Sequence, residues 1–258
     1  MNTIINGNAK RKVLLVSPYG PDEKKWGADM YDVLASRLAR DNGAFAMTSH
    51  LHAFALYVIA ENLSHPTTVL ELPHWDEFAA EVKKGYDVIA IGFKSYQNEK
   101  VVRMMKEIRS ASPKTVIVMG GYGVGMLQDG VPNDPTGAAK FIRENADYLC
   151  REEGVRYMRR LLGDTPFDRP ITQYHVPAGS FNLPQLFFKV RVPSILVSLG
   201  CPAACDFCNT SAFFHHKKIY VAEPQQVYDF MKNHQKKNGD AYQVFALFDE
   251  DLFLNPEY

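Results

Sequence analysis

"SILVSLGCPAACDFCNT", residues 194–210, runs from a strand-length apolar segment straight into a loop holding three of the chain's four cysteines. Ile195, Leu196, Val197 and Leu199 form a short aliphatic run, and Gly200 and Pro202 end it. That pattern predicts a buried strand closed by a turn. Cys201, Cys205 and Cys208 follow with the spacing C-x3-C-x2-C, in a loop kept polar by Asp206 and Asn209. Loops at the C-terminal ends of parallel strands carry the chemistry of α/β sheets and barrels, because they vary freely above a rigid sheet.

Upstream, residues 10–163 alternate strand and helix signals. "KVLLVSP" (12–18), "TTVLEL" (67–72), "YDVIAIGF" (86–93) and "TVIVMGG" (115–121) are short apolar runs closed by turn residues, and "ADYLC" (146–150) is a fifth. Between them Leu51, Phe54, Ala55 and Val58 fall at helical spacing, as do Val101, Met104, Met105 and Ile108 before Pro113. Strands alternating with helices imply a parallel sheet covered on both faces. The expectation is an α/β, doubly wound Rossmann or flavodoxin-like domain over 10–163. Residues 164–192 break the rhythm, with prolines at 166, 170, 177 and 184, and read as a linker. A second α/β unit starts at 193 and runs to 258. In it "EPQQVYDFMKNHQKKNG" (223–239) is a helix with Val227, Phe230 and Met231 on its core face, and "YQVFALFDEDLF" (242–253) is a strand entering an acidic loop.

The chain has 258 residues, 46% hydrophobic and 22% charged, enough apolar material for one or two cores. Lys+Arg and Asp+Glu both number 29, so no basic excess calls for nucleic acid. The longest apolar runs fall far short of the roughly 18 residues that span a membrane. "MNTIINGNAKRK" carries no apolar signal core, so the expected location is cytoplasmic. There, clustered cysteines bind metal or do redox chemistry more often than they form disulfides.

Four readings of the cysteine loop compete. Reduced structural cysteines prefer apolar surroundings, which this loop lacks. A disulfide would use two of the three thiols. Zinc would need a fourth ligand, which His215 or His216 offers in a Cys3His set; the chain would then be a non-enzymatic Rossmann-like binding module. An iron–sulfur cluster uses the odd count, since a cubane held by three thiolates keeps one iron open to a small molecule.

"GCPAACDFC" resembles the cluster loop of the radical SAM superfamily, whose motif is C-x3-C-x2-C with an aromatic residue before the third cysteine, here Phe207. The resemblance implies that Cys201, Cys205 and Cys208 hold a 4Fe-4S cluster, with S-adenosylmethionine on its open iron and Phe207 beside the adenine. It implies reductive cleavage to a 5′-deoxyadenosyl radical, an electron donor such as flavodoxin or ferredoxin, and a small-molecule substrate. "FDEDLF" (248–253) is similar to an acidic stretch of that family and places Asp249 and Asp251 at the active-site mouth.

The N-terminal domain resembles the cobalamin-binding domain of the B12-dependent radical SAM class, with "REEG" (151–154) a partial match to its G-E-G-E stretch. That resemblance implies a corrinoid near Ser17, Tyr19, Ser95, Gly120 and Gly121, and methyl transfer as the reaction. The histidine-on motif D-x-H-x-x-G is absent: "DEKKWG" (22–27) has Lys24 in the histidine place. From Ser194 onward 65 residues remain. A barrel spends roughly 31 per βα unit, so this is about two units of the partial (βα)6 TIM-type barrel the resemblance implies. The expectation is a C-terminally truncated radical SAM protein, inactive alone, with "VFALF" (244–248) as an exposed edge.

Overall fold

The structure, a computed structural model, describes residues 9–19, 48–50, 53–127, 134–165, 178–183, 188–238 and 245–252. Lys24, Asp22 and Gly27 lie outside these, as does Leu51. In chain order the described elements begin with strands β1 (Val13–Val16) and β2 (Thr48–His50), helix α1 (Phe54–Glu61), β3 (Thr67–Leu70), α2 (Trp75–Val82), β4 (Val88–Gly92) and α3 (Asn98–Ala111). They continue with β5 (Val116–Gly120), α4 (Ala138–Asn145), β6 (Tyr148–Leu149) and α5 (Gly154–Leu162). Last come β7 (Ala178–Leu183), β8 (Phe188–Leu196), β9 (Ser198–Leu199), α6 (Asn209–Phe213), β10 (Ile219–Tyr220), α7 (Pro224–Asn238) and β11 (Ala246–Phe248).

The chain divides into two compact units: Met1–Gly27 with Ala55–Asp168, and Ala28–Phe54 with Arg169–Tyr258. The first holds a five-stranded parallel sheet in the order β3-β1-β4-β5-β6. Reading only this unit's strands, the order is 2-1-3-4-5, the flavodoxin-like version of the doubly wound sheet. The continuous apolar runs follow from that topology, because helices cover both faces. Val13, Leu14, Val16, Ile89, Ile91, Ile117 and Met119 are all buried.

The helices follow from the 3.6-residue period. Val101, Met104, Met105 and Ile108 line one side of α3 and are buried together, as their spacing predicts. Ser112 N–H donates to Ile108 O (2.8 Å), ending the helix just before Pro113. In α5 the stop is Gly163, in the left-handed region at φ 76°. The start is Glu153, whose side chain accepts from the backbone N–H groups of Val155 and Arg156. Burial pushes the Glu153 carboxyl up, against those two N–H donors and Arg156.

The second unit is a mixed sheet in the order β11-β8-β7-β2. The segment expected as a linker carries β7 and most of β8, paired antiparallel from Ala178↔Pro193 to Leu183↔Phe188. The far end of β8 pairs in parallel with β11, Ser194↔Ala246 to Leu196↔Phe248. This is the strand–helix–strand unit anticipated from 193 onward, with Val227 buried and Phe230 and Met231 packed against it. The expected barrel start goes no further than this one parallel pair. The opposite neighbour of β8 is the antiparallel β7, so these residues build an open sheet.

Glu153 gives a direct test of a helix cap. Glu153→Ala leaves two N–H groups at the start of α5 without their acceptor and is expected to cost about 1–2 kcal/mol. Urea unfolding reads it as a lowered midpoint at unchanged slope; an unchanged midpoint would show that the cap contributes nothing.

Candidate site at the cysteine loop

β9 and β10 pair antiparallel through Leu199↔Ile219 and Ser198↔Tyr220, so residues 200–218 form an excursion closed at its base. Gly200 stands at the neck with φ +77°; a Cβ there would lie 2.2 Å from Lys217 O and 2.7 Å from Phe214 Cβ. Only glycine fits both the left-handed backbone and the close approach. The sequence places the turn correctly, and the structure adds why it is glycine.

Inside the loop one hydroxyl organises the backbone. Ser211, 1% exposed, donates through Oγ to Cys201 O (2.6 Å) and accepts from Ala204 N–H (3.1 Å). His216 Nδ1 lies 3.0 Å from the same Oγ. Ser211 has a single proton and gives it to Cys201 O, so His216 Nδ1 must be the donor. Neutral His216 is therefore the Nδ1–H tautomer, with its lone pair on Nε2. Ala204, His215 and His216 all adopt left-handed backbone, φ 53°, 53° and 57°. Such conformations persist in non-glycine residues only when their surroundings hold them, and the bonds to Ser211 hold two of the three.

Below the loop lies a buried ion pair. Lys218 Nζ donates to Asp249 Oδ1 (2.8 Å), and the two side chains are 7% and 2% exposed. Asp249 also accepts from Ser198 Oγ (2.6 Å) and from Asp251 N–H (2.8 Å), while Lys218 reaches Asp251 O as well. Burial alone would raise the Asp249 carboxyl; the contacts with Lys218, Ser198 and Asp251 outweigh it and hold the group below its ordinary value.

The structure gives each expected site residue its surroundings. Asp249 lies inside, bonded to Lys218 and Ser198. Asp251 is half-buried and contributes its backbone. Phe207 is 92% exposed, with no packed surface beside it for an adenine. Cys201 is half-buried with its Sγ 3.5 Å from Ala203 N, Cys205 is exposed, and Cys208 caps α6. His215 and His216 are exposed. Among the described residues no group of three or more His, Cys, Asp or Glu side chains is placed to hold a metal ion. A 4Fe-4S cluster and a Cys3His zinc site both need three thiolates converging on one point, and this loop as folded does not supply them. The expectation of a cluster-bearing radical SAM enzyme is corrected on that finding, together with the zinc-module alternative.

The corrinoid cradle in the first unit is corrected too, because interior packing uses most of its expected residues. Ser17 Oγ accepts from Leu72 N–H (2.7 Å). Tyr19 is fully buried at the end of β1, edge-on to Trp75 with ring centroids 5.1 Å apart, and its carbonyl accepts from the buried Lys100 Nζ at 3.0 Å. Tyr19 thus fills the position after β1 beside the topological switch point, where such sheets bind ligands. Gly121 has φ +81°, and a Cβ there would stand 2.7 Å from Phe93 O. Gly123 N–H donates to that carbonyl (2.9 Å). Gly121 therefore serves the close packing of its own loop on Phe93. Gly120 ends β5 at ordinary contact distance from Cys150, and Ser95 is exposed. Burial pushes the Cys150 thiol up to about 12.

Sequence reasoning missed Ser211 and Lys218. Ser211 had one signal: a small hydroxyl directly before "AFF", where an apolar residue would otherwise suit a buried position. Lys218 had none, since the adjacent Lys217 and Lys218 read as surface charge.

Among the described residues no helix is long and apolar enough to cross a membrane. No family model matches the chain. The chain is similar to a protein of Chlorobaculum tepidum named bacteriochlorophyllide d C-12(1)-methyltransferase, 25% identical over 179 residues. The match covers 67% of this chain and 38% of that protein, so the chain spans well under half of its relative's length.

The buried pair sets a sharp expectation. Lys218→Met strands the Asp249 carboxylate without its counter-charge and is expected to cost roughly 3–5 kcal/mol. Asp249 is lowered in the folded state, so its carboxylate contributes stability above its unfolded value of about 3.9 and loses it as pH falls through the folded value. Asp249→Asn is therefore expected to flatten the acid limb of the stability profile below about pH 4. Equal acid slopes for the native protein and Asp249→Asn would rule that out.

Proposed function

We propose that the protein is a methyltransferase that adds a methyl group to a carbon of a tetrapyrrole-type macrocycle, with S-adenosylmethionine as the methyl donor. The observation that carries this reading is the 25% identity over 179 residues to the protein named bacteriochlorophyllide d C-12(1)-methyltransferase. The donor follows from the reaction class: a methyl group must arrive on a good leaving group, and a sulfonium is one.

The first unit offers a place for a broad, flat acceptor. Two short 3-10 helices, Ser95–Gln97 and Tyr122–Met126, follow the carboxyl ends of β4 and β5. Doubly wound sheets bind ligands on that side. Tyr96 is 43% exposed and Met126 40% exposed there, among the few large apolar side chains that the described residues leave open. An aromatic ring and a polarisable thioether suit the face of a conjugated macrocycle. The chemistry of the acceptor selects this surface, since a ring system of that size gains most from flat apolar contact.

Incubating the protein with methyl-labelled S-adenosylmethionine and bacteriochlorophyllide d tests the reading. Label is expected in a carbon-bound methyl group of the recovered pigment. Tyr96→Ala together with Met126→Ala is expected to weaken pigment binding roughly tenfold, equivalent to about 1.4 kcal/mol, as read by fluorescence titration. No labelled pigment, and no binding by the unaltered protein, would overturn the proposal.

A further inference from the structure

We propose that His65 is a protonation-gated latch on the segment that leads into β1: the neutral ring holds the Arg11 backbone, and the protonated ring lets it go. The inference does not rest on the methyl-transfer reading. Arg11 N–H donates to His65 Nδ1 at 2.9 Å, so that nitrogen is the acceptor and the neutral ring carries its proton on Nε2. Nε2 stands 3.5 Å from Asp164 Oδ1, with the two side chains 6% and 8% exposed. One ring nitrogen therefore faces a donor and the other a carboxylate. A proton taken up by the ring has only Nδ1 to occupy, and there it meets the Arg11 N–H head-on. Two donors cannot share a hydrogen bond, so the contact between the ring and Arg11 opens.

Three parts of the first unit face the ring, and their charges divide. The exit of α5 brings Asp164, which favours the cation, and Arg159, whose Nη1 lies 3.6 Å from Asp164 Oδ2. The segment before β1 brings Arg11, with Nη1 4.0 Å from Asp87 Oδ1, and Lys10, whose Nζ donates to Ser64 O. The loop between α1 and β3 carries the ring itself. There Ser64 N–H donates to Asp164 Oδ2 at 3.0 Å, and Thr67 Oγ1 donates to His65 O at 2.9 Å. Ser64 and Arg159 anchor Asp164 through groups that do not titrate with the ring. The carboxylate is thus a fixed counter-charge on the Nε2 side, while the Nδ1 side loses its partner.

The opening is local. Lys12 N–H donates to Asp87 Oδ2 (2.8 Å) and Val13 N–H donates to Pro66 O (2.9 Å), and neither bond involves the ring. β1 stays paired while the residue two positions before it is released.

The test follows the imidazole nitrogens of the whole chain by NMR and, on the same protein, the hydrogen exchange of backbone amides corrected for the intrinsic effect of pH. The neutral ring is expected to carry its proton on Nε2. Below the measured midpoint of the ring, protection of the Arg11 amide is expected to fall roughly tenfold per pH unit, in step with the neutral fraction, while the Val13 amide keeps its protection. Asp164→Asn keeps an acceptor for Ser64 and removes the counter-charge, so the ring midpoint and the release of Arg11 are expected to move together to lower pH. His65→Phe is expected to leave the Arg11 amide unprotected at every pH. A neutral ring protonated on Nδ1, an Arg11 amide whose protection ignores the ring's titration, release of Arg11 and Val13 together, or a ring that stays neutral until β1 itself opens would each overturn the proposal.

Discussion

The Lys218–Asp249 ion pair is the constraint on which the second unit's loop depends. β10 returns from the cysteine excursion and β11 ends in the acidic stretch, and the two have no backbone ladder with each other. Lys218 joins them, reaching both the Asp249 carboxylate and the Asp251 carbonyl. Ser198, on the strand that enters the loop, donates to the same carboxylate. Three separate segments therefore converge on one buried anion. A buried charge is tolerated only when its lone pairs are satisfied, so Asp249 enforces the meeting of all three. The cysteine loop inherits its base from that arrangement and its interior from Ser211.

The parts of this molecule that were legible in the sequence are those governed by local period. α3 announced its buried face through Val101, Met104, Met105 and Ile108. α7 did so through Val227, Phe230 and Met231, and the strands of the first unit through unbroken apolar runs. The parts that were not legible depend on partners far along the chain. Nothing near Lys218 in sequence reveals that it meets Asp249, and nothing near Tyr19 reveals that it lies edge-on to Trp75. The segment with repeated prolines read as a linker because proline breaks ladders. Pro193 nevertheless sits within β8, paired to Ala178. The cysteine spacing was the strongest motif in the chain and the most misleading about geometry. Spacing fixes which residues share a loop, while the directions of their side chains come from Ser211, Gly200 and the turn at Cys205–Cys208.

Glycines illustrate the same distinction in the first unit. The resemblance implies that Gly120 and Gly121 leave the backbone open to a corrinoid. In the folded protein Phe93 occupies that opening: Gly121 passes its backbone and Gly123 its ring, where a Cβ would stand 2.4 Å from the ring carbon Cε2. The sheet has spent its small residues on packing its own loop. Among the described residues around that loop, Tyr96 and Met126 keep apolar side chains partly exposed.

The bonds at Ser211 carry a consequence for how the loop tolerates substitution. One hydroxyl holds the Cys201 carbonyl, the Ala204 N–H and the His216 ring together. Alanine keeps the small size of that side chain and abandons all three partners, while a longer polar residue keeps an oxygen and has no room, since Ser211 is 1% exposed. The floor beneath the three cysteines is therefore narrow in chemistry as well as in space.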